Sequence, residues 1–269
     1  MHPRLSINQV CFMSETTVEF VEHARALGAA NVVLLSGSLL PDGALEATRR
    51  LLGEEGPSVE AIHHRFGVFP DLQHDEGAAA DTLMRVLAIG EALGARSIYM
   101  TTGGRGGLDW EGAAQRFADL VAPAAAAANG RGLNLLVETT SPFYVDRHIA
   151  HTLADTISLV ERADIGICLE LFYIWTEADL AGQFSRAMPR CKLVQVSDYV
   201  LGDHMMPCRA VPGDGAIPLR KILGDVLEAG YTGLFDIEII GPRIDAEGHL
   251  VATRRAIEHV GSILRACGA

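Results

Sequence analysis

Short apolar runs rich in β-branched residues alternate along this chain with longer stretches in which apolar positions recur every three or four residues. The short runs are RLSINQV, NVVLLS, SVEAIHH, SIYMTT, LNLLVET, IGICLEL, KLVQVSD and LFDIEII. They read as strands, and several are apolar at nearly every position, as in a parallel sheet covered on both faces. The longer stretches read as amphipathic helices: TTVEFVEHARALG, AAADTLMRVLAIGEALG, GAAQRFADLVAPAAAAANG, DRHIAHTLADTISLVERA, TEADLAGQFSRA, IPLRKILGDVLEAG and EGHLVATRRAIEHVGSILRA. Thr16 or Thr17 can cap the first and Gly28 can end it, while Pro123 is expected to kink the third. About eight strand–helix units of roughly 33 residues result. Each crossover helix returns the chain to the same end of the sheet, so neighbouring strands run parallel. The pattern predicts an α/β protein, a (β/α)8 TIM barrel formed as one domain over residues 1–269. An open doubly wound sheet is the alternative architecture, but no G-x-G-x-x-G follows the first strand.

The run LFDIEII places Glu238 inside an apolar segment, where a lone carboxylate is costly. Barrel chemistry sits at the C-terminal strand ends. There the fifth strand ends in Glu138, the sixth in Glu170, the seventh carries Gln195, and the eighth carries Glu238. Strands lie about 4.8 Å apart, so three carboxylates at similar depth would repel one another strongly. They can share protons or surround a divalent cation. An all-oxygen set of three carboxylates and one amide suits Mg2+ or Mn2+ better than Zn2+. His63 and His64 end the third strand, and alternation lets only one of them point inward. Asn8 on the first strand is a further candidate to line the pocket. Arg209 can orient a hydroxyl-rich or anionic substrate, or form a loop salt bridge. Tyr173 and Trp175 offer an aromatic wall or a core contact.

Composition narrows the partners. The chain has 269 residues, of which 49% are hydrophobic, and a formal net charge of −12. It shows no basic face of the kind nucleic-acid binding needs, so a small-molecule substrate is expected. No apolar stretch approaches the roughly 20 residues of a membrane span. The N-terminus lacks a basic start followed by an apolar segment, and five scattered cysteines include no C-x-x-C pair. A cytoplasmic protein with reduced thiols is expected, with homo-oligomerisation left open.

The segment RAVPGDGAIPLRKIL, followed by AGYTGLFDIEIIGP, makes the chain resemble the xylose isomerase-like TIM-barrel superfamily, in its sugar epimerase and isomerase branch. The resemblance runs along essentially the whole chain and is strongest from LLVETT onward. It implies a Glu, Asp, His, Glu ligand set. Glu138 and Glu238 match the two glutamates, which also serve as acid and base. Glu170 stands where Asp is usual and Gln195 where His is usual. Tyr173 falls where a D-x-x-H histidine is expected, and Arg209 matches a substrate-contacting arginine. The resemblance thus implies an enzyme using Mn2+ or Mg2+ to isomerise or epimerise a sugar, polyol or related keto-hydroxy compound by proton abstraction alpha to a carbonyl. A lyase or dehydratase on the same metal site and a non-catalytic ligand-binding barrel are the competing expectations. An abasic-site nuclease would need more histidine ligands and a basic face.

Overall fold

Eight of the apolar runs form strands that close on themselves. The computed structural model describes residues 1–53 and 55–269. The barrel strands are β1 (Leu5–Asn8), β2 (Asn31–Leu35), β3 (Ser58–Arg65), β4 (Ser97–Thr101), β5 (Asn134–Glu138), β6 (Gly166–Glu170), β7 (Cys191–Val196) and β10 (Leu234–Ile237). They close in the order β1-β10-β7-β6-β5-β4-β3-β2, each pair parallel. The predicted (β/α)8 barrel is the observed fold.

The helices are α1 (Thr17–Ala26), α2 (Ser36–Leu39), α3 (Ala44–Leu52), α4 (Ala78–Ala92), α5 (Trp110–Gly130), α6 (Leu153–Ala163), α7 (Leu171–Ile174), α8 (Leu180–Ala187), α9 (Leu219–Glu228), α10 (Pro242–Glu247) and α11 (His249–Ala266). Thr16 and Glu19 make a reciprocal capping box that starts α1. Asp109 and Thr152 accept backbone N–H bonds that start α5 and α6. Three departures from the pattern reading stand out. Helix α3, built on ALEATRRLL, and the short α2, α7 and α10 are additional to the seven predicted. The stretch before α6 is not helical, because Thr152 caps the helix there. A two-stranded antiparallel sheet of β8 (Asp198–Tyr199) and β9 (Arg209–Ala210) interrupts the seventh unit. Among the described residues no helix is long and apolar enough to cross a membrane. All five cysteines are free.

Strand alternation divides each strand between two environments. Outward residues such as Val32, Ile62, Ile98, Val137, Leu169 and Val194 join the main core beneath the helices. Val33, Ala61, Tyr99, Leu136, Cys168 and Leu193 form a separate cluster inside the barrel. Counting in twos from these positions leads to the mouth: Ala61 to His63, Leu136 to Glu138, Cys168 to Glu170 and Leu193 to Gln195. A register shift between Ile167 and Cys168 aligns Glu170 with Gln195 across β6 and β7, and Asp236 of β10 lies beside Gln195 on the other flank.

The β8–β9 pair carries Arg209 to the mouth, and Asp198 anchors it. Asp198 Oδ2 accepts from the N–H of Gly213 (2.9 Å) and Gly215 (3.1 Å), and Oδ1 from Tyr199 (2.8 Å) and Ile217 (3.0 Å). The loop VPGDGAIP thus folds around an internal carboxylate, and a Cβ on Gly215 would collide with it. Register then pairs Asp198 with Ala210 and Tyr199 with Arg209.

Candidate active site

Glu138, Glu170 and Glu238 converge at the C-terminal mouth, each offering one oxygen within 4.8 Å of the others. All three are buried, at 4%, 0% and 3% exposure. Asp236, a strand step deeper, adds a fourth buried carboxylate. One buried guanidinium faces them: Arg209 Nη2 lies 2.6 Å from Glu170 Oε2 and 3.2 Å from Glu238 Oε1. One positive charge does not balance four carboxylates. Burial, with Glu238 and Glu170 alongside, holds Glu138 well above the usual carboxylate range. Burial does the same to Asp236 against the hydrogen bond from Ser6. Glu238 is raised by burial as well, with Arg209 opposing the shift. The cluster therefore gathers more carboxyl groups than one guanidinium can neutralise, and its acidic donors are all oxygens. That donor set fits a divalent cation held by Glu138, Glu170 and Glu238.

The three glutamates are held unequally. Glu238 Oε2 accepts from Asn8 Nδ2 (2.9 Å), from Tyr99 Oη (3.4 Å) and from Gln195 Nε2. Asn8 Nδ2 also reaches Tyr99 Oη (2.9 Å) and Asp236 Oδ2 (2.8 Å), while its Oδ1 accepts from Val10 N. Asp236 is fixed from the other side by Ser6 Oγ at 2.7 Å. Glu170 Oε1 accepts from Phe172 N at 3.0 Å, so the start of α7 clamps it. The Glu138 side chain receives no hydrogen bond among the described residues; His63 Nε2 lies 3.9 Å from its Oε2. A base must be free to move a proton, and Glu138 is the least tethered of the set.

The structure resolves the histidine alternative. His63 faces the pocket and stacks on Tyr99, with centroids 4.6 Å apart and an interplanar angle of 14°. Burial pushes it down to about 3, so it is neutral there. His64 faces outward to Ser36 Oγ at 3.0 Å. Gln195 reaches the cluster with its amide nitrogen rather than the expected oxygen: Oε1 faces Cys168 Sγ at 3.1 Å and Nε2 faces Glu238 and Tyr99. A carboxylate repels an amide oxygen, which accounts for that orientation. Asn8 braces Glu238 from below instead of lining open space. Arg209 is ion-paired within the cluster, and its guanidinium lies 5.2 Å from the Tyr173 ring centroid. Tyr99 and Asp236 belong to the site although the strand-end reading did not select them. Asp236 had a signal, since it shares Glu238's face two residues earlier.

The loop entering the site from β5 depends on a neutral histidine. His148 Nδ1 accepts from Thr102 N at 3.0 Å, so Nδ1 carries no proton. Burial, with His151 beside it, holds His148 down to about 3 in the folded chain, against 6.5 unfolded. A depressed histidine makes the unfolded chain bind the proton first, so its stabilising contribution is complete above about pH 6.5 and is lost as pH falls. The stability difference between wild type and His148→Asn is expected to move against wild type by about 1.4 kcal/mol per pH unit below 6.5. Denaturant titrations at pH 7.5, 6 and 5 measure it; a pH-independent difference would refute a buried neutral His148.

The chain belongs to the xylose isomerase-like TIM barrel family, whose model matches residues 18–261. Solved structures share the fold over nearly the whole chain. The IolI protein with a bound zinc atom superposes with a TM-score of 0.84 at 15% identity, covering 98% of each chain. D-Psicose 3-epimerase from Clostridium cellulolyticum H10, solved with D-tagatose, gives 0.76 at 16% identity and 98% of each chain. The probable 3-DHS dehydratase AsbF from Bacillus anthracis gives 0.75 at 14% identity, over 95% of this chain and 98% of that one. At these identities the likeness is one of fold. No curated protein matches the sequence significantly.

Proposed function

We propose that the protein is a divalent-metal-dependent isomerase or epimerase of a sugar, polyol or related keto-hydroxy compound. The observation that carries this reading is the buried glutamate triad at the barrel mouth, with one oxygen of each residue within 4.8 Å of the others. Glu138, Glu170 and Glu238 would hold Mn2+ or Mg2+, and such a cation polarises a carbonyl and an adjacent hydroxyl. Gln195 keeps Glu238 in place through Nε2; as a fourth ligand it would turn its oxygen inward.

The chain's own residues divide the remaining work. Glu138 and Glu238 enter from β5 and β10, separated around the barrel by β6 and β7. One carboxylate takes the proton alpha to the carbonyl, and the C–H electron pair becomes the double bond of an enediolate. The other carboxyl returns a proton. Return to the opposite face of the same carbon gives the epimer; return to the neighbouring carbon gives the isomer. His63, neutral and stacked on Tyr99, presents Nε2 beside Glu138 as a hydrogen-bonding partner for a substrate hydroxyl. Asn8, Tyr99 and Gln195 fix Glu238 Oε2, which leaves Oε1 facing Arg209 at 3.2 Å.

The raised affinity of Glu138 for a proton favours one second reading. A protonated carboxyl beside the enediolate can donate to a departing β-hydroxyl, which leaves as water, and the outcome is dehydration. A screen of ketoses, keto-inositols and oxo-glycosides in deuterium oxide, with Mn2+ or Mg2+ supplied, tests the proposal. Deuterium is expected to enter at one carbon without loss of substrate mass balance. Water loss would favour the dehydratase. Absence of exchange together with absence of a stoichiometric cation would leave a ligand-binding barrel.

A further inference from the structure

Beside the carboxylate cluster lies a cavity of about 290 Å³, whose lining includes the rings of Phe143, Phe172, Tyr173, Trp175 and Tyr199. The rings touch in sequence: Phe172 meets Tyr173 edge-on at 5.2 Å and Tyr199 at 5.8 Å, and Trp175 meets Tyr199 at 6.2 Å. This is a continuous aromatic wall in a chain that is only 6% aromatic. Arg209 joins the cavity to the site. Its guanidinium lies 5.1 Å from the Phe172 centroid and 5.2 Å from that of Tyr173, while Nη2 binds Glu170 and Glu238. Phe172 N in turn holds Glu170. A molecule reacting at the triad therefore has this cavity as its neighbour.

Several polar groups of the lining are engaged within the chain, and Thr176 and His204 lie exposed at its rim. Tyr199 Oη donates to Asp203 O at 2.7 Å, and the Asp203 carboxylate is taken by Arg243 at 2.6 Å. Ser141 Oγ accepts from Phe143 N at 3.2 Å. The ring faces that make up the inner wall offer a sugar's hydroxyls no partners, and each hydroxyl left buried and unpaired against them costs about 1–3 kcal/mol. A flat apolar ring meets no such cost and gains edge and face contacts from several walls. The volume, at the lower end of small-molecule pockets, suits a single ring system. Phe143 is 78% exposed, an apolar ring presented to solvent at the cavity's edge.

Resting on the reading of the triad as the reacting centre, we propose that the substrate carries an aryl ring attached to its keto-hydroxy portion, and that this ring occupies the Phe172–Tyr173–Trp175–Tyr199 cavity. The fold then separates two tasks: the glutamates act on the polar part and the aromatic wall selects the ring.

Phenol and methyl β-D-glucoside, as separate probes of ring and sugar, test this on the full chain with Mn2+ present, by saturation-transfer NMR and tryptophan quenching. Phenol is expected to bind in the millimolar range and to quench Trp175 emission. The saturation-transfer signal should fall at least fivefold in Phe143→Ala, whose exposed ring is not needed for folding, and in Trp175→Leu. Methyl β-D-glucoside should not displace phenol. No phenol binding up to its solubility, binding unchanged in both variants, or displacement by the glucoside would each overturn the proposal. These readouts need no turnover. A triad that binds no metal would sink the catalytic reading while leaving phenol binding in place, so the two failures are distinguishable.

Discussion

Replacing Glu138 or Glu238 by glutamine is expected to lower solvent-deuterium entry into the substrate by about 10²–10⁴-fold, the range for loss of a positioned acid or base. The fold should survive both changes. The Glu138 side chain makes no hydrogen bond among the described residues, and its carboxyl already favours the neutral form through burial beside Glu238 and Glu170. A neutral amide of the same shape keeps the uncharged form at every pH, so the melting temperature should hold, or rise at high pH. At position 238 the glutamine oxygen can still accept from Asn8, Tyr99 and Gln195. Its amide nitrogen would then face Arg209, 3.2 Å from the present Oε1, and that single contact is lost while Arg209 keeps Glu170. Exchange rates with thermal melts measure both parts. Wild-type-like exchange in either variant would remove that residue from the acid–base pair.

The barrel was legible because strand and helix periods differ, and eight alternations leave few topologies. The triad was legible because a carboxylate at the end of an apolar strand is expensive unless something requires it. What remained hidden has a common cause. Parallel strands are buried on both faces, so alternation says which residues share a face without saying which face is inside. His63 and His64 were therefore undecided, and Tyr99 in SIYMTT looked like ordinary core. Once the cluster around Ala61 and Tyr99 fixes the inner face, His63 and Asp236 follow by counting in twos. The family-like segment RAVPGDGAIP was recognisable as a motif, but the physical reason for its turn lay elsewhere in the chain: its N–H groups wrap Asp198. The β8–β9 pair was invisible because two-residue strands carry no period. Gln195's orientation depended on a neighbour's charge, which strand position alone does not encode.

Replacing Arg209 by methionine is expected to give the largest stability effect of any single change at the mouth, and one that a cation reverses. Methionine keeps a long apolar stem against Phe172 and Tyr173 but removes the guanidinium between Glu170 and Glu238. Deleting one partner of a buried ion pair costs about 3–5 kcal/mol, because the remaining charges lose their counter-ion. Here two carboxylates lose it at once, beside Glu138 and Asp236. Proton uptake by the cluster will absorb part of that cost, so the loss in chelator should be greatest at high pH, where protons are scarce. A divalent cation supplies the missing charge to the same oxygens. Mn2+ should therefore raise the melting temperature of Arg209→Met more than that of wild type and should bind the variant more tightly. Thermal melts at pH 8 with chelator and with Mn2+, together with calorimetric titration of Mn2+, measure both effects. If the variant is as stable as wild type in chelator, Arg209 does not neutralise the cluster. If Mn2+ stabilises both proteins equally, guanidinium and cation do not draw on the same carboxylates.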